Sequence, residues 1–139
     1  MSTRSNIGVV TKDNKLRVVY CHSDGYPSWN GNILLNHYTT QEKVEELISN
    51  GDMSLLDKEC TKPDNHSYEH RIDGYTVYYG RDRGEDNTEF NEVDFKGDIN
   101  NHTDLFDNNY GYIFFNDKWY FNKSCGKFKK LTKNVIKND

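Results

Sequence analysis

The sequence predicts an α+β fold in one domain: an antiparallel β-sheet made of hairpins, with two to three helices packed on one side. Three observations carry this prediction. β-rich runs come in pairs joined by short polar turns, helical periodicity is confined to two central segments and a short tail, and no linker divides the 139 residues.

Ile7 to Val10 and Leu16 to Cys21 are β-like runs flanking the polar turn Lys12-Asp13-Asn14-Lys15, and they read as a hairpin. Ser28 then serves as an N-cap, with Ile33, Leu34, Leu35 and Tyr38 as a helical apolar face. Thr39 with Glu42 three residues on fits a capping box for a second helix, whose face is Val44, Leu47 and Ile48 and whose stop is Gly51. Asp52 to Leu56 is expected to add one further helical turn. Residues 57–67 are polar, contain Pro63 and read as a loop. Tyr68 to Arg71 and Tyr75 to Tyr79 read as a second hairpin turning at Asp73-Gly74. The acidic, Asn-rich segment 85–109 is expected to form surface loops and short elements. Tyr110 to Phe115 and Lys118 to Phe121 form the strongest hairpin, with aromatic strands around the two-residue turn Asn116-Asp117. Thr132 caps a short last helix in a lysine-rich tail.

Composition narrows the function. Hydrophobic content of 34% and a mean hydropathy of −0.99 are low, but 14% aromatic residues supply enough rigid apolar area for a small core. A net charge of −4 argues against a polymeric DNA or RNA partner, which requires a basic face. No apolar run is long enough to span a bilayer and no signal peptide is expected, so the expectation is a cytoplasmic protein with no membrane partner. Three widely separated cysteines with no C-x-x-C pair support neither a disulfide framework nor a zinc site, and no cofactor or metal is expected.

The chemistry concentrates in two stretches. Tyr20-Cys21-His22-Ser23-Asp24-Gly25-Tyr26-Pro27 is a strand-to-helix corner that displays an imidazole, a carboxylate and a phenol. Antiparallel pairing of the first hairpin brings Arg4 to the same end of the sheet. Arg81-Asp82-Arg83-Gly84-Glu85 is the densest guanidinium site, suited either to a phosphate or to a salt-bridged turn. Neighbouring strand residues point to opposite faces, so Cys21 and His22 do not share an ion. His37-Tyr38-Thr39 matches half of a two-histidine phosphoesterase motif. Its partner is missing, which leaves His37 as a helix-end residue and gives no catalytic pair.

Thr3-Arg4-Ser5-Asn6-Ile7, Tyr20-Cys21-His22 with Asp24-Gly25-Tyr26-Pro27, Gly31 through His37-Tyr38, Val44 through Leu47-Ile48, Gly51-Asp52 with Ser54 and Leu56, and Tyr79-Gly80-Arg81-Asp82-Arg83-Gly84-Glu85 together resemble a widespread group of small bacteriophage proteins. The resemblance covers the first half well and thins after Glu85; Ser23 departs from it, since the group often carries Trp there. This group is related to phage anti-CBASS sponges, which bind cyclic dinucleotide alarm signals of the bacterial host, such as 3'3'-cGAMP, without cleaving them. The resemblance therefore implies a homo-oligomer (dimer or tetramer) in the host cytoplasm during infection, with a cyclic dinucleotide as ligand. Arg4, Arg81 and Arg83 would serve its phosphates, Tyr26 and Tyr79 its bases, and His22 or Asp24 the base edges. Two other classes remain open: a phosphodiesterase using His22 or His37, and an acidic inhibitor that covers a host protein with the surface from Asp82 to Asp104.

Overall fold

The computed structural model describes residues 3–137. Eight strands form one sheet in the order β4-β3-β2-β1-β6-β7-β8, with β5 off this path and paired to the first half of β2. The strands are β1 (Ser5–Val10), β2 (Lys15–Cys21), β3 (Met53–Leu55), β4 (Val77–Tyr78), β5 (Asn91–Asp94), β6 (Tyr110–Phe115), β7 (Lys118–Lys123) and β8 (Lys129–Lys130). The helices are α1 (Asn32–His37), α2 (Gln41–Ser49), α3 (Tyr79–Arg83) and α4 (Lys133–Lys137), with a π turn at Pro27–Gly31 and a 3₁₀ segment at Ile99–Leu105. The α+β class holds. Most pairings are antiparallel, and β1–β6 and β2–β3 are parallel.

β1 is buried along its whole length because it sits between β2 and β6 and is covered on both faces. Alternation sends Ile7 and Val9 to one face, where Tyr112, Phe114, Trp119 and Phe121 join them against Leu34, Val44, Leu47 and Ile48 of the helices. Buried aromatics keep their polar ends satisfied there. Trp119 Nε1 donates to the Tyr38 carbonyl (2.8 Å), and the Tyr78 hydroxyl donates to the Leu47 carbonyl (2.6 Å).

The opposite face carries a second, smaller core of Leu16, Val18, Ile113, Phe95, Ile99, Phe106 and Phe128. Segment 85–109 is thus more than surface loop: it supplies β5 and the 3₁₀ segment, and it roofs this face with Phe106. A Cβ on Gly8 would lie 2.7 Å from Phe106 Cζ, and one on Gly111 2.7 Å from Phe106 Cβ. The two glycines let the ring rest directly on the sheet backbone.

Several local expectations are corrected. The cap of α2 is Thr40, which accepts from Lys43 N (3.3 Å), one residue after Thr39. At the start of the first helical run the capping position falls on Tyr26, with Pro27 in the first helical turn, so Ser28 lies inside the run and not at its cap. Asp52 to Leu56 is not a helical turn, because Met53–Leu55 pairs with β2 and β4. Tyr68 to Arg71 forms no strand, so the Asp73-Gly74 turn leads to β4, which pairs with the distant β3. The Gly51 stop (φ 86°), the Asn116-Asp117 turn (φ 55° and 63°) and the Thr132 cap, accepting from Val135 N (3.3 Å), stand as read.

Candidate functional site

The corner after β2 folds back onto the start of β1. Gly25 N donates to the Thr3 carbonyl (2.8 Å), and the Tyr112 hydroxyl donates to the Gly25 carbonyl (2.7 Å). A Cβ at Gly25 would lie 2.9 Å from the Arg4 carbonyl carbon, so only glycine fits this approach. The corner and exposed Arg4 therefore share one end of the sheet, as the hairpin geometry requires.

From that end the candidate residues divide. Tyr20 and His22, two apart, lie on the sheet face opposite Cys21, and the Tyr20 hydroxyl meets His22 Nδ1 at 2.7 Å. Burial pushes the Tyr20 phenol up, and the Arg4 charge works against that shift. Burial likewise raises the Tyr79 phenol, opposed by a hydrogen bond with Ser54, while Tyr68 and Tyr20 add smaller raising effects. The Tyr68 and Tyr79 rings lie 6.1 Å apart, and the Arg83 guanidinium sits 4.7 Å from the centre of Tyr68. Asp52 joins the two groups, its Oδ1 accepting Tyr20 N (2.9 Å) and its carbonyl accepting Tyr79 N (3.1 Å). Tyr20, His22, Tyr79, Tyr68 and Arg83, with Arg4 at the same sheet end, thus form one cationic and aromatic strip.

Arg81 belongs elsewhere. Nε and Nη2 bind both carboxylate oxygens of Asp82 (2.9 and 3.1 Å), Nη1 donates to the Cys60 carbonyl (2.7 Å) and Nη2 to the Thr76 carbonyl (3.2 Å). Its guanidinium also lies 4.6 Å from the centre of Tyr78. The Asp82 side chain is fully buried, accepts Tyr78 N (2.8 Å) and faces His66 Nε2 at 3.4 Å. With Nδ1 of His66 accepting Ile72 N (3.0 Å), the imidazole carries its N–H on buried Nε2, which approaches that carboxylate without completing a hydrogen bond. This buried cluster fastens the 57–76 loop to α3, so the expected phosphate role of Arg81 is replaced by a structural one.

Asp24 and Tyr26 also stand apart from the strip. Asp24 takes a left-handed conformation (φ 55°), and its Oδ1 accepts the Tyr26 hydroxyl (3.1 Å). It lines a cleft of about 310 Å³ with Trp29, Arg71, Ile72 and Tyr75. Trp29 is held by Nε1 donating to the Leu56 carbonyl (3.2 Å).

Tyr20 and Tyr68 were missed from the sequence. Tyr20 was within reach, since it shares a strand face with His22 two residues on. Tyr68 reaches Arg83 and Tyr79 through a loop that no periodicity marks. Among the described residues, no group of three or more His, Cys, Asp or Glu side chains is placed to hold a metal ion. Among the same described residues, no helix is long and apolar enough to cross a membrane. In comparisons with known proteins, the chain matches no family model, and no match was found among curated proteins or solved structures.

Proposed function

We propose that the protein is a phage immune-evasion sponge that binds a host cyclic dinucleotide on the Arg4–Tyr20–Tyr79–Tyr68–Arg83 strip and holds it intact. The single observation that carries this reading is the exposed Arg83 guanidinium stacked over Tyr68, with Tyr79 beside it. A cyclic dinucleotide offers two phosphates and two purine faces. Arginine recognises the first and tyrosine rings the second. Glu85 approaches Arg83 only at 3.9 Å, with both side chains about half exposed, so the pair is weak and a phosphate competes readily for the guanidinium.

The mechanism is mass action. A sponge reduces the free ligand about a hundredfold when its Kd lies about a hundredfold below its own concentration, and it needs no turnover. The sequence resemblance adds the expectation that copies assemble and act in the host cytoplasm. Titration calorimetry with a panel of cyclic dinucleotides tests the reading. One member should bind the wild type at micromolar protein, and Arg83→Ala should abolish binding measurable at that concentration. Unchanged affinity in a folded Arg83→Ala protein would remove the strip from the account.

A further inference from the structure

The charge is unevenly spread. Seven lysines and no carboxylate lie between Lys118 and Lys137, while the remaining 11 Lys and Arg face 22 Asp and Glu. All seven lysines are exposed, and among the described residues none makes an ion pair. One role for lysines on β8 is to keep an edge strand from pairing with other chains. That role does not explain why three of the seven converge.

Phe121 and Lys123 are two apart on β7 and share a face, and Lys129 of β8 lies directly across from Phe121. The connecting turn completes the arrangement. Ser124 and Cys125 are both left-handed (φ 46° and 68°), and Gly126 N donates to the Lys123 carbonyl (2.9 Å). Asn122 Nδ2 braces the turn by donating to the Gly126 carbonyl (2.9 Å). This brings Lys127 round to the same hollow. The result is a pocket of about 360 Å³ whose walls are Lys123, Lys127 and Lys129 and whose apolar surface includes Phe121. Lys130, next in sequence, pairs with Tyr120 and points to the other face.

From this geometry we infer a second anion-binding site in the β7–β8 pocket, for a small molecule that joins a phosphate to a flat apolar body. Three lysines with no carboxylate in the wall, Lys123 also placing its Nζ 5.7 Å from the centre of the Tyr110 ring, concentrate positive potential at the mouth. Phe121 offers the apolar contact that a bare ion does not use. The site is separate from the Arg83 strip and stands or falls without it.

The test is an amide NMR titration of the full chain with 1-naphthyl phosphate, and with inorganic phosphate in parallel. Saturating shifts centred on Asn122, Gly126 and Lys127 are expected, with inorganic phosphate roughly tenfold weaker or more. The variant Lys123→Gln/Lys127→Gln/Lys129→Gln should lose about tenfold or more. Lys118→Gln/Lys133→Gln, which removes equally basic residues outside the pocket, should bind as the wild type does, and so should Arg83→Ala. Equal losses in the two lysine variants, shifts scattered along the whole lysine block, or equal binding of inorganic phosphate would each overturn the site. All substituted lysines are exposed, so the fold is expected to survive; single Lys127→Glu provides a second variant with the same expected loss.

Discussion

Arg83 lies over the Tyr68 ring, 4.7 Å from its centre, while Arg81, two residues earlier, is turned inward onto the buried Asp82 side chain. The five-residue helix α3 explains the split. At 3.6 residues per turn, side chains two apart point about 200° apart, so one guanidinium faces the protein and the other faces solvent.

The two arginines should therefore fail in opposite ways. Arg81→Ala leaves a fully buried carboxylate without its main counter-charge and should destabilise the fold by about 3 kcal/mol, read by denaturant unfolding. Arg83→Ala should change stability by less than about 0.5 kcal/mol while removing nucleotide binding. Equal stability losses in both variants would contradict the split.

The thiols give a second check. Burial pushes Cys21 up to about 11 and Cys60 up to about 12, whereas Cys125 is exposed in the β7–β8 turn. Thiolates, not thiols, react with disulfide reagents. Native protein at pH 8 should release one equivalent of chromophore quickly and the other two only after unfolding. Rapid reaction of two or three thiols in the native state would mean that the corner or the 57–76 loop opens readily.

Gly111→Ala examines how the second core is seated. The new methyl would lie 2.2 Å from Asn122 Oδ1 and 2.7 Å from Phe106 Cβ, and both neighbours are buried. Overpacking of this kind costs about 1–3 kcal/mol. Thermal unfolding should show a larger drop for Gly111→Ala than for Gly97→Ser, where a side chain meets open space and only the positive φ (81°), worth about 1 kcal/mol, opposes it. A stable Gly111→Ala protein would mean that Phe106 is not held against the sheet.

Acid should weaken the same region first. His102 is buried beside Phe95, and its Nε2 accepts Lys96 N at 3.0 Å. Burial, with Lys96 adding to it, lowers its pKa below the usual 6.5. Between the unfolded value and the lower folded value the unfolded chain holds the extra proton, so stability falls as the pH drops through that window. His102→Gln should flatten this part of the stability profile. An unchanged slope below pH 6.5 would assign the acid sensitivity to another group.

Much of the fold was legible because its signals are local. The β1–β2 and β6–β7 hairpins follow from alternation and turn chemistry, and the α2 stop follows from Gly51. β3 was not legible, and β4 was read as part of a Tyr75–Tyr79 strand but with the wrong partner, since each is two or three residues long and is held by a partner far along the chain. The site divided in the same way. The meeting of Arg4 with the corner came from strand pairing, but the separate fates of Arg81 and Arg83 depended on a short helix read as a turn. Tyr68 depended on the path of the loop that the His66–Asp82–Arg81 cluster fixes.

The most direct test of the central claim is capture and release. Excess purified protein is mixed with a panel of cyclic dinucleotides and filtered, and the retained fraction is then heated and chromatographed. The account predicts that one ligand disappears from the filtrate and is recovered chemically intact on heating, and that Arg83→Ala lets it pass. Recovery of an altered ligand would make the protein an enzyme, and free passage of every ligand through the filter would contradict nucleotide binding altogether.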